Sequence, residues 1–110
     1  MKAISIRQPW ASLIATGRKT IETRKWRTEY RGDILIVSSA RPRIDDLPAG
    51  KAICICKIAN CRAMTIEDEA AACCKIYDGT YSWILTDIRK IKPFNVRGKL
   101  RFFEVEFDER

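Results

Sequence analysis

Histidine is absent from this 110-residue chain, and glycine and proline are sparse at five and four. Without histidine the usual general base is missing, as are Ser-His and Cys-His nucleophile pairs. Chemistry here has to rest on Lys, Glu, Asp, Thr, Ser, Tyr or Cys. The five cysteines, Cys54, Cys56, Cys61, Cys73 and Cys74, are an odd number and form no C-x-x-C pair. Zinc would need thiolates alone, at spacings that structural sites rarely use. No metal and no cofactor is therefore expected, and the thiols read as small buried hydrophobes in a reducing compartment. No apolar run approaches the roughly 20 residues that span a bilayer, so no membrane association is expected. The N-terminus goes straight into alternation, without the apolar stretch and small-residue cleavage site of a signal peptide. A cytoplasmic location follows as an expectation.

What is present fits one folded domain, residues 1–110. A hydrophobic share of 46% beside a charged share of 32% separates the chain from disordered sequences. The net charge is +7, and it is unevenly placed. Ten of the 21 Lys/Arg but only three of the 14 Asp/Glu precede residue 44, so the whole excess arises in the first two-fifths. A one-sided basic surface attracts polyanions, nucleic acid foremost. The plainer alternative is a solvated face that keeps the protein soluble.

Alternation from Ala3 to Arg7 predicts a strand. Pro9 opens a helix of about two turns in which Trp10, Leu13 and Ile14 share a face and Gly17 closes the end. Lys19–Trp26 reads as a strand, with Ile21 and Thr23 on one face and Glu22, Arg24 and Trp26 on the other. Asp33–Ser39 is an apolar strand covered on both faces, and 41–50 is a loop. Lys51–Arg62 is again a strand. Thr65 with Asp68 resembles a capping box for a second helix running to about Lys75, its first turn carrying Glu67, Asp68 and Glu69. Tyr81–Lys92 and Lys99–Phe107 complete about six strands. The helices do not alternate with them, which favours a small, mixed or mostly antiparallel barrel of α+β, mainly β, character.

The densest polar cluster is Gly17-Arg18-Lys19-Thr20-Ile21-Glu22-Thr23-Arg24. A helix ends there and a strand begins by presenting Glu22 and Arg24 together, with Lys19 at the turn. By chemistry alone such a group is more often a structural salt-bridge cluster that orients side chains than a site. Its spacing, however, is G-x-K-x-x-E-x-R, and the chain resembles the ASCH domain family. Ser5-Ile6-Arg7-Gln8-Pro9-Trp10-Ala11 is similar to the family's opening strand and helix start. Trp26, Tyr30-Arg31-Gly32 and Ser38-Ser39 resemble its next segment; Trp83, Leu85, Pro93 and Gly98 resemble its C-terminal part. The resemblance implies a PUA-like barrel with two or three short helices. It also implies a ligand cleft between the first helix and the barrel, and binding of RNA, other nucleic acid or a nucleoside-like molecule.

Some small bacterial members of that family hydrolyse acetylated cytidine with a lysine and a threonine three residues later. Lys19 matches the lysine, but the threonine position is Glu22. Thr20 and Thr23 are expected on the opposite face, and Glu67 or Glu69 falls only roughly where a further glutamate of that branch lies. If the protein is an enzyme, a metal-independent amidohydrolase or ribonuclease, Lys19 and Glu22 are its catalytic candidates, Glu22 as base for a water. As a binding protein it would use Gln8, Trp10, Lys19, Glu22, Arg24, Lys25, Trp26, Arg27, Arg31 and Ser38. Trp10 fits a core position by its periodicity, Trp83 fits the barrel core, and Trp26 has the better parity for stacking on a base.

Overall fold

The computed structural model describes residues 1–109. The N-terminal alternation becomes strand β1 (Lys2–Ile6), whose Ile4 and Ile6 point into the barrel interior while Ala3 faces a second apolar layer. Helix α1 (Trp10–Ala15) follows. Its N-terminus is capped by Gln8, whose Oε1 accepts from the Ser12 amide at 2.9 Å, and Pro9 occupies the flanking position rather than the first turn. The helix stops because Gly17 takes φ +80°, a left-handed conformation that costs glycine little. The amides of Arg18 and Lys19 both return to the Leu13 carbonyl at 3.0 Å, and this tight turn delivers Lys19 to the start of β2 (Ile21–Arg24).

Strands β3 (Gly32–Ser38), β4 (Lys51–Ala63) and β5 (Tyr81–Asn95) form the long middle of the sheet, and β6 (Phe103–Glu104) is a short edge. The sheet order is β2-β5-β4-β3-β1-β6; β1 runs parallel to β3 and the other pairings are antiparallel. Register shifts in β3–β4 and at three places in β4–β5 mark bulges, which bend strands and increase their twist. The sheet curls until its edges approach: Trp26, just after β2, meets Phe102, just before β6, with ring centroids 5.2 Å apart. No ladder joins β2 to β6 among the described residues, so the barrel keeps an open seam. This mixed, barrel-like architecture agrees with the fold expected from the sequence.

Strict alternation in β3 serves two cores. Ile34 and Ile36 face the interior with Trp83, Leu85, Ile58 and Ile14, while Leu35 and Val37 face a layer with Ile55 and Phe103 under the C-terminal segment. Burying each large side chain contributes about 1.5–3 kcal/mol, so these strands carry most of the fold's stability. Trp83 is 1% exposed, as its assignment to the barrel core requires.

Two elements are shorter than their sequence pattern. The second helix is a 3-10 turn, Ile66–Asp68, leading into one turn of α-helix, α2 (Glu69–Ala72). Ile66 is exposed rather than core-facing, and Cys73 ends the helix at φ +56°. Asp68 holds the segment in place: its carboxylate accepts from both Arg62 guanidinium nitrogens at 2.6 and 2.8 Å, from Ser82 Oγ at 2.9 Å and from the Thr65 amide at 3.0 Å. The expected strand from Lys99 to Phe107 pairs only at Phe103 and Glu104, because residues 97–101 cross the seam as a strap, with Arg101 at φ +56°. No helix of the described residues is long and apolar enough to cross a membrane.

Candidate functional site

The open seam forms a cleft of about 590 Å³. On it lie Lys19, Glu22 and Arg24, the three polar residues of the motif. Lys19 is 1% exposed; its Nζ donates to the Ala72 carbonyl at the end of α2 and stands 3.6 Å from Glu22 Oε1. The other carboxylate oxygen accepts from Arg24 Nε at 3.0 Å, and Arg24 Nη2 donates to the Ser5 carbonyl at 2.8 Å. Arg24 thus ties β2 to β1 across the seam, and Glu22 lies between a buried ammonium and a partly exposed guanidinium. A carboxylate has about four acceptor positions and Arg24 Nε fills one by a direct hydrogen bond, so about three remain for a ligand's N–H groups.

The walls come from distant parts of the chain. Ser5, Ile6 and Arg7 descend from β1, Trp10 from α1, Ser39 from the end of β3, Cys74 and Tyr77 from the segment after α2, and Lys99, Leu100 and Arg101 from the strap. Trp10 and Tyr77 are about two-fifths exposed, and Leu100, at 92%, projects into solvent at the mouth. Arg101 lies over the Trp26 ring at 3.9 Å, while Lys25 Nζ is 5.9 Å from the Tyr77 ring centre. Gly98 lets the strap close down: a Cβ there would collide with Ser5 Oγ, a buried hydroxyl with no hydrogen-bond partner among the described residues.

The residues singled out from the sequence divide sharply. Trp10, Lys19, Glu22, Arg24 and Lys25 are brought together. Trp10 is not the core residue its periodicity suggests, because the six-residue helix projects its first turn over the cleft. Trp26 leaves the face of Glu22 and Arg24, since β2 ends at Arg24. Its ring packs edge-on against Trp83 at 4.7 Å, inside the barrel. Arg27 stands outside the cleft beside Glu29 at 3.7 Å, and Arg31 donates to the carbonyls of Thr28 and Tyr30. Gln8 and Ser38 are buried and hold backbone: Gln8 Nε2 donates to the Pro48 carbonyl at 2.8 Å, and Ser38 Oγ to the Lys51 carbonyl at 3.1 Å. Thr23 overturns strict parity by bordering the cleft, where its hydroxyl accepts from Tyr77 Oη at 3.2 Å.

Glu67 and Glu69 lie away from the cleft; Glu69 accepts from the Ile76 amide at 2.7 Å and closes the end of α2. Among the cysteines, Cys54, Cys56 and Cys61 are buried as expected, but Cys73 is exposed and Cys74 borders the cleft. Burial pushes the Cys54 thiol up to about 12 and that of Cys56 further. The described residues contain no group of three or more His, Cys, Asp or Glu side chains able to hold a metal. Sequence reasoning missed Arg7, Tyr77, Lys99 and Arg101, which gave no local signal beyond charge or aromaticity.

A curled mixed sheet with a cleft along its seam defines a small α+β domain of barrel-like architecture. Residues 4–95 match the ASCH domain, and the chain belongs to the ASCH domain family. Its fold is similar to the crystal structure of the ASCH protein from Zymomonas mobilis, at 16% identity and a TM-score of 0.69. That alignment covers 96% of this chain and 87% of the other. A point mutant of the same protein aligns equally well, at 14% identity, TM-score 0.69 and coverage of 96% and 89%. Human "Activating signal cointegrator 1" is 45% identical over 38 residues, a match spanning 34% of this chain and 6% of the human protein.

Proposed function

We propose that this protein binds RNA or a nucleotide-like ligand in the seam cleft. The reading rests on one observation: four cations outside the motif, Arg7, Lys25, Lys99 and Arg101, converge with two exposed aromatics around a buried carboxylate. None of the four is engaged by a carboxylate in the ion pairs of the described residues. The cations meet phosphate oxygens, Trp10 or Tyr77 stacks on a base, and the free acceptor positions of Glu22 take N–H groups from its edge. Hydrolysis by the family's threonine route is disfavoured because that position is Glu22, and a carboxylate cannot form an ordinary acyl-enzyme ester. Thr23 does supply a hydroxyl to the cleft, but its neighbours there are Tyr77 and Cys74, neither of which supplies the lysine–hydroxyl pairing that route needs.

The test is fluorescence anisotropy on short single-stranded RNA with Trp10→Ala. A lost stacking contact is worth about 1–3 kcal/mol, so affinity falls by roughly fivefold to 150-fold. Unchanged affinity in a folded Trp10→Ala variant, and equally in Tyr77→Ala, would remove the stacking role.

A further inference from the structure

The cleft does not end at Arg7. From Ser39 on its wall the chain passes through Ala40 into a second, shallower groove lined by Arg7, Ala40, Arg41, Pro42 and Arg43. Arg7 borders both. We propose that this groove is a phosphate subsite continuing the cleft, so that the ligand is a single strand of nucleic acid several nucleotides long. The proposal rests on the reading of the cleft given above and selects a strand over a free nucleoside.

Charge is the first argument. Arg7, Arg41 and Arg43 are exposed and take part in none of the ion pairs among the described residues, whereas Arg24, Arg27, Arg62 and Arg89 all do. Asp45 and Asp46, on the same loop, make no ion pair with them either. Three like charges gathered without counter-charge repel one another, and the groove contributes no carboxylate to its own lining. A phosphate offsets that repulsion, and the planar guanidinium fork matches its oxygens bidentately.

Pre-positioning is the second argument. Gln8 Nε2 donates to the Pro48 carbonyl of the loop while its Oε1 caps α1 through Ser12, so one buried amide fixes the basic loop relative to the helix bearing Trp10. The loop's ends are pinned as well: the Ser39 amide bonds the Ile6 carbonyl and the Gly50 amide the Ser38 carbonyl, both at 2.9 Å. A fixed path from cleft to groove lowers the ordering cost of binding a flexible strand. The buried Gln8 therefore acts as a positioning residue for both halves of the track.

The experiment compares a labelled RNA trinucleotide with a 12-mer of single-stranded RNA by anisotropy, using wild type, Arg41→Glu/Arg43→Glu and Lys25→Glu/Lys99→Glu, with circular dichroism as the check on folding. Wild type gains affinity from trinucleotide to 12-mer, and that gain shrinks on the order of tenfold or more in Arg41→Glu/Arg43→Glu. The salt slope for the 12-mer becomes shallower by about 1.4, the value for two phosphates of a single strand. An undiminished length gain and slope in that variant, with Lys25→Glu/Lys99→Glu still weakening both ligands, overturns the subsite and leaves the cleft reading standing. Failure of Lys25→Glu/Lys99→Glu to weaken either ligand, or no RNA binding by wild type, overturns the cleft reading and the subsite with it.

Discussion

Removing Glu22 should cost stability chiefly through Lys19. In Glu22→Ala the buried Lys19 ammonium keeps a single partner, the Ala72 carbonyl, for its three N–H groups. Breaking a fully buried ion pair costs about 3–5 kcal/mol. Two features reduce this: the Lys19–Glu22 separation of 3.6 Å exceeds direct hydrogen-bond length, and Arg24, about a quarter exposed, can recover water. The expected loss is therefore about 2–3 kcal/mol, roughly 10–15 °C in Tm for a domain of this size. Glu22→Gln keeps an acceptor and the shape and should lose about half as much. Lys19→Met alone also destabilises, but Lys19→Met/Glu22→Gln should cost less than the two single changes together by about 1–2 kcal/mol. Urea unfolding followed by tryptophan fluorescence measures all four corners of the cycle. Additivity within about 0.3 kcal/mol would show that the motif's charges do not act as a unit and would refute the reasoning.

Three further outcomes follow from particular contacts. Arg62's guanidinium, helped by the Thr65 amide and Ser82 hydroxyl, holds the Asp68 carboxyl well below the usual carboxylate range. Its stabilisation is complete above the unfolded pKa near 3.8 and is lost as pH falls below it, so Asp68→Asn should lose about 2–4 kcal/mol at neutral pH and flatten the acid limb of a Tm–pH curve. Gly98→Ala should destabilise by about 1–3 kcal/mol and weaken RNA binding by lifting Lys99 and Arg101, while added Ser5→Ala restores both; calorimetry and anisotropy on the double variant decide it. Thiol titration of the native protein should label Cys73 first, with Cys54 and Cys56 silent until unfolding; early modification of Cys54 or Cys56 would contradict their burial.

Local pattern made most strands legible: β1 alternates, and β3 is a continuous apolar run because both of its faces are buried against apolar layers. It failed where the chain is short or strained. The i, i+3, i+4 spacing of Trp10, Leu13 and Ile14 predicts a core stripe, but Trp10 is the first residue of the helix and borders the open cleft, so it stays two-fifths exposed. Alternation after Lys99 mimics a strand, although Leu100 points to solvent and Arg101 is left-handed. The floor of the site was readable because Lys19, Glu22 and Arg24 belong to one helix-to-strand turn. Its walls were not, since Tyr77, Lys99 and Arg101 reach the cleft only through the curl of the sheet. That curl also corrects the charge argument, because two cleft cations come from the electrically balanced part of the chain.

The salt dependence of RNA binding tests the central claim most directly. If three to five cleft and groove cations neutralise phosphates of a single strand, log K falls against log[salt] with a slope of about −2 to −3.5. Lys25→Glu/Lys99→Glu should make that slope shallower by about 1.4, while Lys90→Glu/Lys92→Glu, outside the cleft lining, leaves it nearly unchanged. A flat slope, or equal losses from the two pairs of reversals, would contradict the account and leave the basic surface as a solvated face.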